Sequence, residues 1–308
     1  MPWTTQNIPP LDGKNVLITG ANSGLGLESA KALARRGAHV ILACRTLAKA
    51  NAAAEEIRAG YGNARLEPQA VDLTDLASLR SFAREINARH ARLDVLLNNA
   101  GVMATPKTRT QDGFELQFGT NHLAHFALTG LLFELLIKTP GARVVNVSSL
   151  AHRLGKLRFD DPAWEHGYSK WGAYGMSKLA NLLFTYELAR RAQVAGLALC
   201  SVAAHPGYTS TNLQLRSAEL ANSKLKEWAT GWFTPLVAQK AELGALPQLY
   251  AAVADEVSSG DFIGPDGFYE MRGYPQKTRS NARSHDAADM QRLWELSERL
   301  TGVRFALL

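Results

Sequence analysis

Two cysteines, Cys44 and Cys200, are all that the 308 residues contain. So few thiols, so far apart, supply neither a disulfide framework nor a metal-ligand spacing. They read as reduced thiols of a cytoplasmic protein. An excess of one charge is also missing. There are 34 Lys and Arg against 28 Asp and Glu, a net charge of +6, and no basic run exceeds the pairs Arg35-Arg36 and Arg190-Arg191. A scattered excess of this size suits an anionic small ligand and argues against nucleic acid as a partner. Apolar runs are short: residues 194–204 cover about half a membrane span. The opening Met1-Pro2-Trp3-Thr4-Thr5 has no basic stretch followed by an apolar one, so no signal peptide is expected. What is present is a composition 46% hydrophobic and 20% charged, that of a globular chain able to bury a large core.

Strand and helix patterns alternate along the chain. Short apolar runs at 14–20, 38–44, 65–71, 93–98, 143–148 and 197–204 read as buried strands. Helical patterns at 24–36, 46–59, 75–90, 114–137 and 171–194 separate them, with Asp75 placed to cap the third. Residues 214–254 look largely helical with a break at Pro235. A last strand is expected within 262–270 and a terminal helix over 285–301. Strand–helix alternation implies a parallel sheet with helices on both faces. The expected architecture is α/β: one doubly wound Rossmann domain over 1–308, with about seven strands.

The first strand runs into Thr19-Gly20-Ala21-Asn22-Ser23-Gly24-Leu25-Gly26, where a helix begins. In this GxxxGxG spacing Gly20 permits the turn, Gly24 lets backbone approach a pyrophosphate, and Gly26 allows close helix–strand contact. Asn22, Ser23 and Leu25 complete a loop whose following helix N-terminus offers free N–H groups to phosphates. A dinucleotide fingerprint usually puts a carboxylate at the end of the second strand to hold the ribose 2′-OH. Here Cys44 is followed by Arg45, which suits the 2′-phosphate of NADP(H). Asp72 and Leu73, just past the third strand, are placed to meet the adenine. Asn99, Ala100 and Gly101 close the fourth strand on the cofactor edge, with small side chains that leave room.

Tyr174 and Lys178 stand four apart in a helical pattern and so share a face. A free phenol, with a pKa of about 10, is a poor acid–base group at neutral pH, and a nearby ammonium favours its ionised form. Ser148 and Ser149 end the fifth strand on the same edge, where a hydroxyl can bind a substrate oxygen; residue chemistry alone does not choose between them. Asn121 lies in the long helical stretch and can anchor a relay water. His122 and His125, three apart without a third ligand, read as core or helix-face residues, so no metal site is expected. His205 before Pro206 reads as fixing the turn.

Taken in order, Thr19-Gly20-xxx-Gly24-x-Gly26, Asn98-Asn99-Ala100-Gly101, Asn121, Ser149, Tyr174-xxx-Lys178 and Pro206-Gly207 with Thr211 resemble the short-chain dehydrogenase/reductase family. The resemblance spans 14–211, about two-thirds of the chain. It implies that Ser149 orients the carbonyl or alcohol, Tyr174 is the acid–base, Lys178 holds the nicotinamide ribose and tunes Tyr174, and Asn121 completes a tetrad. It also implies that Pro206, Gly207 and Thr211 touch the nicotinamide end of the cofactor. The long Ser149–Tyr174 gap is similar to that of the retinol-dehydrogenase-like branch and, more loosely, of protochlorophyllide reductases.

These readings converge on an NADP(H)-dependent oxidoreductase that interconverts a carbonyl and an alcohol on a small lipophilic substrate. Two alternatives are reduction of an activated C=C bond and a non-catalytic NADP(H)-binding sensor. Pocket walls are expected from about 150–173 and 208–236. Leu150, Trp171 and Tyr208 are the first candidates, and Leu154, Trp164, Leu213, Trp228, Trp232 and Phe233 the wider set. No transmembrane segment is expected, and the sequence permits a homo-oligomer and peripheral membrane contact.

Overall fold

In the computed structural model, which describes residues 2–209 and 239–306, eight strands form one sheet in the order β3-β2-β1-β4-β5-β6-β7-β8. The strands are β1 (Asn15–Thr19), β2 (His39–Cys44), β3 (Arg65–Ala70), β4 (Val95–Asn98), β5 (Arg143–Val147), β6 (Cys200–Ala204), β7 (Phe262–Pro265) and β8 (Pro275–Thr278). The first seven run parallel, and β8 pairs antiparallel with β7. Strands buried on both faces must be apolar throughout rather than alternating. The central ones comply: Val16, Leu17 and Ile18 are each at most 1% exposed. At ~1.5–3 kcal/mol per fully buried aliphatic side chain, such runs keep these strands in the sheet.

Helices α1 (Gly24–Arg35), α2 (Leu47–Gly60) and α3 (Leu76–Arg89) link the first four strands, and Asp75 caps α3 by accepting from the Ala77 amide at 2.8 Å. Odd and even residues of one strand pack on opposite layers. Val16 and Ile18 face α1 and α2, while Leu17 and Ile41 join Leu79, Phe82 and Ile86 of α3. The chain order reverses between β1 and β4. Both of their C-terminal ends open on the crevice that this topology creates for a ligand.

Three expectations need correction. The stretch 114–137 is not one helix. It breaks into α4 (Leu116–Phe118), a π turn (Gly119–Leu123), α5 (Ala124–Leu131) and α6 (Phe133–Ile137), and Leu132 leaves helical geometry at φ −100°, ψ 5°. The strand expected within 262–270 is β7, but it is not the last: after a left-handed turn at Tyr269 and Glu270, β8 returns as an eighth strand. Trp164 is core rather than pocket wall. It packs with Phe118, Met176 and Leu179, under the Arg158 guanidinium 4.3 Å from its ring.

Further along come α7 (Lys170–Val194), α8 (Ala241–Gly244), α9 (Leu246–Val253) and the terminal α10 (Ala287–Thr301). Of the helical stretch expected over 214–254, residues 214–238 lie outside the described part, as do Thr211, Leu213, Trp228, Trp232 and Phe233. Among the described residues no helix is long and apolar enough to cross a membrane.

Candidate active site

The glycine loop is held from beneath by Thr19. Its hydroxyl accepts from the Asn99 and Ala100 amides at 3.0 Å each, and its carbonyl accepts from Asn99 Nδ2 at 2.8 Å. The loop and the end of β4 are thereby one unit. Gly20 turns at φ +68°. A Cβ on Gly26 would lie 2.4 Å from the Gly20 carbonyl oxygen and 2.6 Å from Asn99 Nδ2, so α1 can start this close to the strand only on a glycine. Ser23, the N-cap of α1, makes no side-chain capping bond. In contrast, Thr46, Asp75, Ser169 and Asp286 each cap their helices. The first amides of α1 are therefore left for an external acceptor, the donor arrangement a pyrophosphate requires. Asn22, Ser23, Gly24 and Leu25 are half-buried along this loop.

Arg45 is exposed past the end of β2 and has no ion pair among the described residues. Asp72 uses one carboxylate oxygen to accept from the Thr74 amide and hydroxyl, at 2.9 and 2.8 Å. Leu73 is half-buried against the α3 side of the core. These residues fit a nicotinamide dinucleotide: a phosphate cradle, small residues at Asn99, Ala100 and Gly101, and a cation at the end of β2.

Tyr174 and Lys178 sit on α7, which Ser169 caps by accepting from the Gly172 amide at 3.2 Å. Both side chains are buried. The helix meets the turn after β5 at a backbone-to-backbone contact, where a Cβ on Gly155 would lie 2.4 Å from the Gly175 carbonyl oxygen. This approach sets Ser149 against the helix, where its hydroxyl accepts from the Ala151 amide at 3.2 Å and lowers the pKa of the Tyr174 phenol beside it. The neighbouring Ser148 hydroxyl instead donates to the Lys178 carbonyl at 2.9 Å. The two serines left unresolved by the sequence thus have different surroundings. Lys178 Nζ donates to the Val147 carbonyl at 3.0 Å, and Asn181 Nδ2 donates to the same oxygen at 3.1 Å.

Burial pushes the Tyr174 phenol up to about 12 despite the lowering pull of Ser149. Burial also brings the Lys178 ammonium down to about 8. With Nζ 5.8 Å from the tyrosine ring centroid and turned to Val147, the lysine charge does not offset desolvation, and Tyr174 carries its proton at neutral pH. Asn121 sits in the π turn. Its Oδ1 accepts from the Val102 amide at 2.8 Å, while Nδ2 donates to the Val102 carbonyl and Ser177 Oγ at 2.9 Å each. This side chain fixes the segment after β4. Gly101 lies beside it, where a Cβ would be 3.0 Å from Asn121 Oδ1 and 3.6 Å from Lys178 Nζ.

Leu150 begins the turn after Ser149 and is half-buried. Trp171 is 49% exposed, with its ring 6.2 Å from that of Tyr174 and nearly perpendicular to it. Leu154 and Tyr208 are exposed. Pro206 and Gly207 form a half-buried turn, and His205 Nδ1 accepts from the Gly207 amide at 3.2 Å. Behind it the Glu270 carboxylate is held down at about 2 by its hydrogen bond to His205, then by Thr278 and Arg153. His205 thus fixes the turn as its place before Pro206 suggested, whereas Glu270 behind it, like Asn181 and the link made by His125, was not read from the sequence. Asn181 alone had a signal, lying seven residues after Tyr174 on the same helix face.

A family model described as short chain dehydrogenase matches residues 14–220. The chain belongs to that family. Human retinol dehydrogenase 13 is 42% identical over 296 residues, covering 95% of this chain and 86% of that protein. Among solved structures, an uncharacterised protein from Mycobacterium paratuberculosis is 42% identical with a TM-score of 0.82, each chain being 99% covered. A short chain dehydrogenase from Shigella flexneri complexed with NADP is 25% identical, with a TM-score of 0.63, covering 83% of this chain and 98% of that one. Within the family the chain falls in the retinol-dehydrogenase-like branch, and it is an oxidoreductase of alcohol and carbonyl groups.

Proposed function

We propose that the protein uses NADP(H) to interconvert a lipophilic carbonyl compound and its alcohol, with Tyr174 as the acid–base group. The observation that carries this reading is the buried, protonated Tyr174 phenol, with the Ser149 hydroxyl beside it at the end of β5. A bound nicotinamide supplies the hydride for reduction and accepts it in oxidation. In the reductive direction Ser149 donates a hydrogen bond to the carbonyl oxygen and Tyr174 passes its Oη proton to it. In the oxidative direction Tyr174 takes the alcohol proton back. Lys178 and Asn181, anchored on the Val147 carbonyl, hold the helix face in place, and Lys178 keeps a positive charge beside the cofactor ribose. Asn121 positions Val102 and Ser177.

Arg45 favours the phosphorylated cofactor, since no carboxylate ends β2 to take a ribose hydroxyl. Leu150, Trp171 and Tyr208 supply apolar wall near the reacting oxygen. Relatives named retinol dehydrogenase support a lipophilic substrate and make retinal one of the aldehydes to test. The test is NADPH oxidation against saturated aldehydes of increasing length and against retinal, below micelle formation. Each buried methylene contributes about 0.8 kcal/mol, so kcat/KM should climb with chain length. A flat or falling series removes the lipophilic class, and equal rates with NADH remove the cofactor assignment.

A further inference from the structure

Far from the crevice, at the β3 edge of the sheet, three metal-ligating side chains meet. His39 begins β2, Glu67 lies on β3, and His90 is the C-cap of α3. In the sheet register His39 pairs with Arg65, so Glu67, two residues on, points to the same face. That is the face α3 covers, and it brings His90 onto the pair. Glu67 Oε2 lies 3.6 Å from His39 Nε2 and 3.1 Å from His90 Nε2, and all three atoms are within 4.8 Å of one another. Despite its closeness to the carboxylate, His90 Nε2 is buried without a hydrogen-bond partner, and the His90 side chain is only 9% exposed.

We propose that His39, Glu67 and His90 form a site for a divalent transition metal of the zinc type, which clips the end of α3 to the β2–β3 edge. Two imidazoles and a carboxylate are a donor set such ions accept, and with bonds of about 2.0–2.1 Å a tetrahedral centre sets its ligand atoms roughly 3.4 Å apart. The two measured separations from Oε2 bracket that value. The surroundings orient the ligands as outer-shell groups do. Asn15 Nδ2 is tied to the Arg92 carbonyl at 3.0 Å, which turns its Oδ1 toward His39 Nδ1 at 3.3 Å. Nδ1 then carries the proton and Nε2 presents its lone pair. Gln69 and Arg89 engage the other carboxylate oxygen of Glu67, at 2.8 and 3.5 Å, which leaves Oε2 for the ion. His39 and Glu67 are about one-fifth exposed, so water can fill the fourth position.

The test is calorimetric titration of zinc chloride into untagged, chelator-stripped full-length protein, wild type beside His39→Gln, His90→Gln and, as a control at an exposed histidine, His166→Gln. One equivalent should bind to the wild type and to His166→Gln. Loss of a ligand should cost at least what loss of an outer-shell partner does, about tenfold in affinity or more. Zinc should raise the thermal midpoint of the wild type but not of His39→Gln or His90→Gln, and circular dichroism with cofactor titration confirms that those variants fold. No stoichiometric binding to wild type, or equal binding by the folded variants, overturns the proposal.

Discussion

His125 Nε2 lies 3.0 Å from the hydroxyl of Thr19, across 106 positions of sequence. The other ring nitrogen, Nδ1, lies 3.0 Å from the carbonyl of Asn121. A carbonyl can only accept, so Nδ1 holds the proton and Nε2 accepts from Thr19. Burial brings this histidine down to about 4, which keeps it neutral and preserves that polarity. The ring therefore couples the strand beneath the glycine loop to the turn that carries Asn121.

Replacing His125 with Phe should destabilise the protein by about 1–3 kcal/mol, since both buried ring hydrogen bonds, to Thr19 and to the Asn121 carbonyl, are lost. Because the Thr19 hydroxyl also holds the Asn99 and Ala100 amides, the KM for cofactor should rise more than kcat falls. Urea unfolding and steady-state kinetics measure the two effects. An unaltered midpoint would show that the link contributes nothing.

Tyr174→Phe keeps the ring and removes the transferable proton. Turnover should fall by about 10²–10⁴-fold while NADPH still binds, as read by fluorescence titration. Activity above half that of the wild type would refute the acid–base role.

Arg45→Ala should erode the preference for NADP(H) over NAD(H). A charge-assisted contact to phosphate contributes about 1.5–3 kcal/mol, roughly tenfold to a hundredfold in affinity. Titrating both cofactors into both proteins is decisive, and an unchanged ratio counts against the assignment.

Gly26→Ala places a Cβ within 2.4 Å of the Gly20 carbonyl oxygen, so the loop must shift. Cofactor affinity should drop by at least about tenfold, the equivalent of one 1.4 kcal/mol contact, with the sheet intact by circular dichroism. Tight binding by this variant would mean the cradle lies elsewhere.

Acid should unfold this protein through its histidines. Burial brings His122 down to about 3 and His125 and His152 to about 4. Below about 6.5 the unfolded chain takes up protons at these positions while the native chain does not. The stability they contribute is complete above that pH and is lost as the pH falls towards 4, at up to about 1.4 kcal/mol per histidine per pH unit. Denaturant midpoints at pH 7, 5.5 and 4.5 should decline steeply; a flat profile would contradict the buried neutral state.

Much of this could be read from the chain because it depended on local pattern. The centres of the runs at 14–20 and 38–44, residues 16–18 and 40–43, are apolar, as strands covered on both faces require, and Gly20 and Gly26 mark the tight approach that follows. Tyr174 and Lys178 share a face through helical spacing alone. What could not be read depended on long-range packing. Ser148 and Ser149 are separated by what each meets on α7, the Lys178 carbonyl or the Tyr174 side chain. The apolar periodicity of 114–137 continues through the π turn and gives no hint of it. Trp164 looked like a pocket wall because nothing local reveals that Phe118 and Met176 cover it.

The π turn at Gly119–Leu123 imposes a constraint on length. A wide turn holds an extra residue relative to an α-helical one, and each residue rotates a helix by about 100°. Deleting one position there would re-phase α5 against everything before it, swinging either Asn121 or His125 away from its partner. Point substitutions along this stretch can be accommodated one side chain at a time, but its residue count cannot drift. Insertions and deletions should accumulate in other connections of the chain and spare this one.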